Sequence, residues 1–348
     1  MFVRRLMLIS AVVVPILFAI GCVKRKETIT VKPDGTVKVA IVYEGDKGDF
    51  DKGDAMPSEK TGWKVSREDT TEENNRETVD LTGERTFKPG EELPGSYAAP
   101  NDPDAGLYLK FPTTLTRERR KDGVYLHFRR VYAPRDWAYV QLWADLGLDD
   151  NIKKLGEKKP EELTHEERVQ IIKAFAGVEA YKQIELAQRA LKESDERLKP
   201  DHWLMARKAL LNVYEESVDW DEIARRVENL SNEERDQTFE RESKRILEEA
   251  HQAFVGSLKR DAGYDRERIA KFEAAYERAK KYYDITNQLG GGGHVFEIEV
   301  TMPGTIVAHN ADKEDEGTVE WEFDGTAFRD RPYELMVTSR LPLDRDEK

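Results

Sequence analysis

Residues 294–304 read HVFEIEVTMPG, and this stretch decides the fold. Phe296, Ile298 and Val300 alternate with polar residues, which is the period-two pattern of a β-strand with one buried face. The stretch follows a long segment whose apolar residues recur every three or four positions, the period of a helix. The chain therefore returns to β structure after a helical segment.

The region before the helical segment has the same alternation. Two turns predict hairpins there, at residues 33–35 (PDG) and 121–123 (KDG), because glycine accepts a positive φ and proline presets the first turn torsion. Polar stretches at Gly45–Pro57 and Thr70–Glu77 are predicted loops. The strand candidates read ETITVK (27–32), TVKVAIVYEGD (36–46), GLYLKF (106–111) and VYLHFRRVY (124–132).

The C-terminal part offers only about three strands, HVFEIEVTMPG, GTVEWEFDG (317–325) and YELMVTSRL (333–341), which are barely enough for a stable sheet alone. We therefore predict an α+β fold, in which an antiparallel β-rich domain is interrupted by an α-helical bundle insertion. Three independent domains in a row are the alternative. The predicted boundaries are 1–21 for a signal peptide, 22–148 for the first part of the β domain, 149–290 for the insertion and 291–348 for the rest of the β domain.

The helical segment runs from about residue 164 to 289. Residues 164–167 (THEE) and 231–234 (SNEE) have the Ser/Thr-x-x-Glu pattern of capping boxes at helix starts. Pro200 and Gly263 interrupt the pattern, which favours about four or five antiparallel helices over a continuous coiled coil. The expected apolar stripes comprise Trp203, Ala206, Leu210 and Val213; Ile223, Val227 and Leu230; Phe239, Ile246, Leu247, Ala250, Phe254 and Leu258; and Ile269, Phe272, Tyr276, Ala279 and Tyr283.

Residues 16–26 (ILFAIGCVKRK) contain Cys22, the only cysteine in 348 residues. The apolar run Leu6–Ile20 is about 15 residues, shorter than the roughly 20 of a membrane-spanning helix, and has the character of a secretory signal. Residues 19–22 (AIGC) resemble a bacterial lipobox. That resemblance implies that the thiol takes a diacylglycerol, the chain is cut before Cys22 and the new amine is acylated. Ordinary secretion and an uncleaved anchor are the alternatives.

On this resemblance we predict a lipid attachment at Cys22, where several acyl chains on one residue would hold the protein durably at a membrane. Lys24, Arg25 and Lys26 would then lie at the lipid headgroups, each contributing about 1 kcal/mol on an anionic leaflet, or would only keep the tether soluble. Val23 after the cysteine resembles the pattern of outer-membrane sorting. The expected location is the cell envelope, on the periplasmic face of the outer membrane in a cell with two membranes.

The composition argues against several classes of function. The net charge of −13 becomes −15 without residues 1–21, which hold Arg4 and Arg5 and no acid. An acidic body of this kind is unsuited to nucleic acid, whose phosphates need a basic surface. Acylation of Cys22 would leave no thiol for a disulfide, a nucleophile or a metal site.

The histidines do not point to a metal site. None of the six has the paired helical spacing of a metalloprotease, and the residues after His165 (EER) lack the second histidine. We expect His165 to be a polar residue of a helix first turn. His294 and His309 are expected to approach each other across the last hairpin, yet as solvated loop residues without a carboxylate at ligand spacing.

No other motif indicates a reaction. The chain has no G-x-S-x-G elbow, and the glycine run 290–293 lacks the ending of a phosphate loop and leads into a strand. Carboxylate pairs such as Asp219 with Asp221 and Glu248 with Glu249 discriminate nothing among 69 acids. We therefore predict no catalytic, cofactor or metal residue, and a protein that is not an enzyme.

One aromatic cluster is of interest. Asp136 is expected to cap a short helix in which Trp137, Tyr139 and Trp143 are close in sequence. Such a helix either packs onto the sheet, which is the favoured interpretation, or lies at the lipid interface or over an apolar pocket.

Two short stretches carry a family resemblance. The first is MPGTIVAHNADKEDEGTVEWEFDG (302–325), with Pro303-Gly304 and Trp321, and the second is the hairpin at residues 31–37. They are similar to the C-terminal hairpin and to the opening of LppM-type bacterial lipoprotein domains. The resemblance implies an envelope lipoprotein with a β-rich domain, sometimes associated with apolar or lipid-like ligands, and no catalytic residues. The long helical insertion and the lack of a second transmembrane segment before Lys348 depart from that family.

Three functions follow as expectations. The first is a non-enzymatic, membrane-tethered envelope lipoprotein whose helical insertion presents a face to a protein partner. The second is a binding module for an apolar or lipid-like ligand in the β domain, and the third and weakest is a hydrolase. A deep apolar cavity beside the Trp137 helix would favour the second, and a filled core with exposed apolar residues on the bundle the first.

Overall fold

The computed structural model describes residues 23–72, 76–135, 150–156, 158, 162–194, 199–228, 230–290 and 294–343. They form two mostly antiparallel sheets. Most of the helices lie between residues 150 and 290, after one group of strands and before another. The predicted α+β fold class is confirmed.

The strands divide into a seven-stranded sheet with the order β3-β4-β2-β1-β7-β10-β9 and a four-stranded sheet with the order β5-β6-β11-β8. Their bounds are β1 (Lys24–Val31), β2 (Val37–Asp46), β3 (Lys64–Thr71), β4 (Glu77–Phe87), β5 (Thr113–Arg120), β6 (Gly123–Tyr132), β7 (Val295–Thr301), β8 (Thr305–His309), β9 (Lys313–Asp315), β10 (Thr318–Asp324) and β11 (Tyr333–Leu341).

Both sheets contain strands from before and after the helical segment. In the larger sheet β1 pairs in parallel with β7, with Arg25 opposite Phe296, and in the smaller sheet β6 pairs antiparallel with β11. The parallel pair needs a long crossover, which the intervening chain supplies. Each sheet needs strands from before and from after the helical segment, which is why the stretch at 294–304 decides the fold.

The two predicted hairpins are present, but one uses a different strand. Between β1 and β2, Gly35 has a φ of 90° and the turn places the Asp34 carboxylate 2.8 Å from the Thr36 amide. The second hairpin joins β6 to β5, so the strand predicted at residues 106–111 is wrong. In that stretch Phe111 is buried, yet its amide donates to the Gly95 carbonyl, in an irregular segment.

The two predicted loops contain more regular structure than expected. Residues 45–57 include the end of β2 and a short helix, α1 (Lys47–Lys52), and in the second stretch Thr70 and Thr71 end β3 and Glu77 begins β4. The strand β3 was not predicted, because it is an edge strand whose side chains are nearly all exposed. Without a buried face, a strand has no apolar alternation.

The helices are α2 (Asp150–Gly156), α3 (His165–Ser194), α4 (Pro200–Asn212), α5 (Trp220–Val227), α6 (Asn232–Arg260) and α7 (Arg266–Gly290), with a π-helical turn, Val213–Ser217, after α4. Both capping boxes are confirmed, since Thr164 and Glu167, and likewise Ser231 and Glu234, exchange side-chain and backbone hydrogen bonds. The predicted stripes are buried except at Trp203, Leu230 and Leu247, which are partly exposed.

The chain forms two compact units, one containing α2 to α6 with α7 up to Lys281, and the other containing the strands with α1 and resuming at Tyr282. The predicted boundaries at 148/149 and 290/291 stay predictions. Within the β unit the two sheets share one core, because Tyr132 of β6 packs its ring against Phe296 of β7 and Phe323 of β10. In the described part of the chain, no helix has both the length and the apolar character needed to cross a membrane.

Candidate functional site

The interior of the β unit contains a buried ion pair. Glu27 of β1 and Arg130 of β6 are 3% and 1% exposed, and Arg130 Nη1 lies 2.7 Å from Glu27 Oε2. Both residues face inward because they share the alternation of their strands with apolar neighbours. The pair therefore joins the two sheets through their common core.

Hydroxyl groups complete the hydrogen bonding of this pair. Tyr43 and Tyr97 donate to Glu27 Oε1 at 2.6 and 2.8 Å, and Arg130 Nε donates to Thr113 Oγ1 at 2.9 Å. Burial acts to raise the pKa of Glu27, but Arg130 and the two tyrosine hydroxyls outweigh it and bring that pKa below its ordinary value. The carboxylate is thus ionised, and both of its oxygens accept hydrogen bonds. This arrangement stabilises the buried charge and does not prepare it for a reaction.

A second buried ion pair lies nearer the start of β1. Arg25 Nη1 is 3.2 Å from Asp54 Oδ2, and Asp54 Oδ1 accepts from the Leu109 amide at 2.8 Å. The Arg25 guanidinium also lies over the rings of Tyr43 and Phe296, at 5.5 and 5.4 Å from their centroids. These contacts leave Arg25 Nε and Nη2 without a hydrogen-bond partner.

Two further side chains beside Arg25 have unpartnered polar atoms. Both ring nitrogens of His294 and Asp49 Oδ2 have no partner, although these residues are 1% and 5% exposed. Burial, with a contribution from Arg25, places the pKa of His294 well below its ordinary value. Burial and Asp46 raise the pKa of Asp49 to about 6, against the opposing effect of Arg25. We call Arg25, Asp49, Asp54 and His294 the N-terminal polar cluster.

The cations predicted to lie at lipid headgroups belong instead to strand β1. Arg25 points into the core, while Lys24 and Lys26 pair on the opposite face with Glu297 at 2.8 Å and Glu299 at 2.7 Å. The expectation of a tether at residues 24–26 is wrong, because the sheet begins at residue 24; Lys24 and Lys26 pair with carboxylates of β7 and Arg25 pairs with Asp54.

The histidines named from the sequence are separated. His294 precedes β7 and is buried, whereas His309 ends β8 in the other sheet with its Nε2 3.1 Å from Glu314. The expectation that these two are solvated loop residues is wrong for His294. His165 is the first residue of α3, as predicted, and its Nε2 lies 2.8 Å from Asp221.

Several predicted features lie outside the described residues. These are Cys22 with the signal peptide, the Trp137, Tyr139 and Trp143 cluster with its cap Asp136, and glycines 291–293. Within the part of the chain that the structure describes, no three His, Cys, Asp or Glu side chains gather as a metal site would require. The prediction of lipid attachment at Cys22 stays a prediction.

No family model matches the chain, and no curated protein matches it. Among solved structures, the NMR structure of the folded domain of LppM from Mycobacterium tuberculosis is similar to it at 10% sequence identity and a TM-score of 0.26, over 94% of each chain.

The buried charges were not predicted, although the sequence of β1 contains a pattern that indicates them. In residues 24–31 (KRKETITV), Arg25 and Glu27 occupy the same alternating positions as Ile29 and Val31. Charged residues at inward positions of a strand are costly to bury unless they are paired. This alternation therefore indicated that both needed partners elsewhere in the chain.

Proposed function

We propose that this protein is a membrane-tethered lipoprotein of the cell envelope with a non-enzymatic role, and that its helical unit presents the face that binds a protein partner. The tether is an acylated Cys22, and the location is the periplasmic face of the outer membrane in cells with two membranes. Because β1 begins at Lys24, the sheet would stand within two residues of the anchor.

The observation that carries this proposal is the filled interior between the two sheets. Its largest buried side chains are aromatic rings and paired arginines, namely Trp321, Arg25, Arg130, Tyr43, Tyr132, Phe87, Phe128, Phe296 and Phe328. A binding module for an apolar ligand needs an apolar cavity instead. An open groove of about 430 Å³ on the larger sheet is lined mainly by charged residues such as Glu320 and Glu322, which suits an apolar ligand poorly.

The helical unit offers exposed apolar side chains for a partner. Leu204 and Met205, next to each other on α4, are 56% and 48% exposed, and Tyr181 of α3 is 39% exposed. Neighbouring apolar groups that form one exposed patch are typical of interaction sites. We propose that Leu204 and Met205, which are adjacent on α4, lie at the centre of the partner-binding face.

Site-specific photocrosslinking in living cells tests the proposal. The full-length chain carries a photoreactive amino acid at Leu204, or at Met336 of β11, which is 42% exposed and serves as a matched control. We expect a protein adduct from position 204, none from 336, and loss of the adduct when Cys22→Ser removes the anchor. No adduct at 204, or one that does not depend on Cys22, would contradict the proposal.

A further inference from the structure

The hairpin that joins β5 to β6 carries a concentration of positive charge. Residues 117–121 read RERRK, four cations and one acid, in a chain whose net charge is −13. All five side chains are exposed. Arg120 pairs with Glu118 at 2.6 Å, whereas Arg117 and Lys121 form no ion pair with any residue that the structure describes. We call residues 117–121 the basic hairpin.

Protection of a sheet edge does not explain this charge. β5 is an edge strand, and edge strands commonly carry charges that prevent pairing with another chain. Charges of either sign serve that purpose. The edge strand β3 of the larger sheet mixes Arg67 with Glu68 and Asp69. The single dominant sign of the basic hairpin therefore favours an anionic partner.

The acids elsewhere in the chain do not cancel this positive charge. At physiological ionic strength the field of an exposed charge is screened within about 8 Å. The two acids of the hairpin, Glu118 and Asp122, are each paired with an arginine already. The positive charge of Arg117 and Lys121 is therefore left unbalanced at the hairpin.

The position of the basic hairpin relative to the proposed anchor favours a membrane surface as this partner. Cys22 adjoins Val23, whose carbonyl accepts from the amide of Val295 at 3.1 Å, at the start of β7. The end of β6 lies at the same end of the β unit, because the ring of Tyr132 is 5.6 Å from that of Phe296. From there β6 runs back to the hairpin over about 30 Å. A membrane that holds the anchor meets the basic hairpin when the β unit lies along its surface.

We propose that the basic hairpin docks on the anionic phospholipid headgroups of the membrane that holds the anchor. The β unit then lies along the membrane surface, with contacts at both ends of β6. This inference rests on the proposed function, because it requires the tether at Cys22. The tether concentrates the hairpin at the surface, and a basic patch beside an acyl anchor adds a second membrane contact.

A single spin label tests the docking, because acylation of Cys22 leaves the chain without a free thiol. The label is placed on Thr116→Cys in β5 or, as a matched control, on Thr86→Cys in β4. Both positions are exposed, and residue 86 lies at the end of the larger sheet away from the anchor. The full-length chain, drawn from its own membrane, is placed in phosphatidylcholine vesicles with or without phosphatidylglycerol. A nickel chelate on a few headgroups collides with the label only where that residue meets the membrane.

We expect the label at residue 116 to collide with nickel several-fold more often in the anionic vesicles than in the neutral ones. The label at residue 86 should show no such difference. Equal rates at residue 116 in the two kinds of vesicle, or an equal gain at residue 86, would overturn the docking and leave the tether as a proposal. Labelling of the chain without an added cysteine would reveal a free Cys22 and overturn both.

Charge reversal identifies the cations responsible. Arg117→Glu with Lys121→Glu should lower the ratio of docked to undocked chains at least about thirtyfold, and so return residue 116 to its rate in neutral vesicles. Lys60→Glu with Lys64→Glu makes the same change of charge at exposed positions beside and in β3, and should leave that rate high. A rate that survives the reversal at 117 and 121, or falls equally in both variants, would also overturn the docking.

Discussion

Replacing Glu27 by alanine tests the importance of the buried ion pair between the sheets. The change leaves the Arg130 guanidinium, which is 1% exposed, without its carboxylate. Breaking a buried pair in this way costs about 3–5 kcal/mol, because an uncompensated charge stays in the interior. The matched control is Lys26→Ala, on the next residue. That lysine pairs with Glu299 at the same distance of 2.7 Å, but at the surface.

Exposed pairs contribute roughly 0–1 kcal/mol, so the two variants compare a buried ion pair with an exposed one. Hydrogen exchange of peptides from β1 and β6 reports the opening free energy of the β unit separately from that of the helices. At about 1.4 kcal/mol per tenfold, Glu27→Ala should speed exchange roughly a hundredfold to several thousandfold, and Lys26→Ala at most about fivefold. Similar factors for the two variants would refute the reasoning.

The same logic predicts a rescue and a pH dependence. Adding Arg130→Met to Glu27→Leu removes both charges, so the double variant should exchange more slowly than Glu27→Leu alone. The pKa of Glu27 is lower in the folded state than its ordinary value of 4.5. Its contribution to stability is therefore fully present above pH 4.5 and is lost as the pH falls through the folded pKa.

Three further predictions concern other parts of the chain. Asp49→Asn should slow exchange of β2 at pH 7, because burial raises the pKa of this aspartate to about 6, and the gain should vanish as the pH falls from 6 towards 3.8; an equal effect at pH 7 and pH 4 would contradict this. Gly304→Ala should destabilise the β unit by about 1–3 kcal/mol more than Gly90→Ala in urea unfolding. Both glycines have a positive φ, but a Cβ on the first would lie 2.3 Å from a backbone oxygen and one on the second would meet nothing. Deleting residues 150–281 with a short linker should leave a folded β unit by circular dichroism. Deleting 150–290 should leave a less stable one, because the end of α7 belongs to that unit and has buried side chains. Equal stability of the two deletion variants would contradict this prediction.

Local patterns were sufficient for much of the fold. The alternation around residues 27–46 and the PDG turn predicted the first hairpin, and the two Ser/Thr-x-x-Glu patterns predicted where α3 and α6 begin. The strands β3 and β5 escaped because they are edge strands with little buried surface. A pattern of burial is readable only where one face is buried.

The candidate site was less predictable, because its contacts are distant in sequence. Glu27 and Arg130 are 103 residues apart, and Arg25 meets His294 only because β1 and β7 pair in parallel across the whole helical segment. Alternation predicts which side chains of a strand face the interior. Which charge it meets there depends on sheet topology, which no local pattern contains.

The lipid anchor is the central claim, and the mass of the N-terminus tests it most directly. The mature protein is drawn from its own membrane in mild detergent, and the intact chain and its N-terminal peptide are measured by mass spectrometry. We expect a chain that begins at Cys22 and bears a diacylglyceryl group on its sulfur. A chain that begins elsewhere, or a Cys22 with a free thiol, would contradict the account.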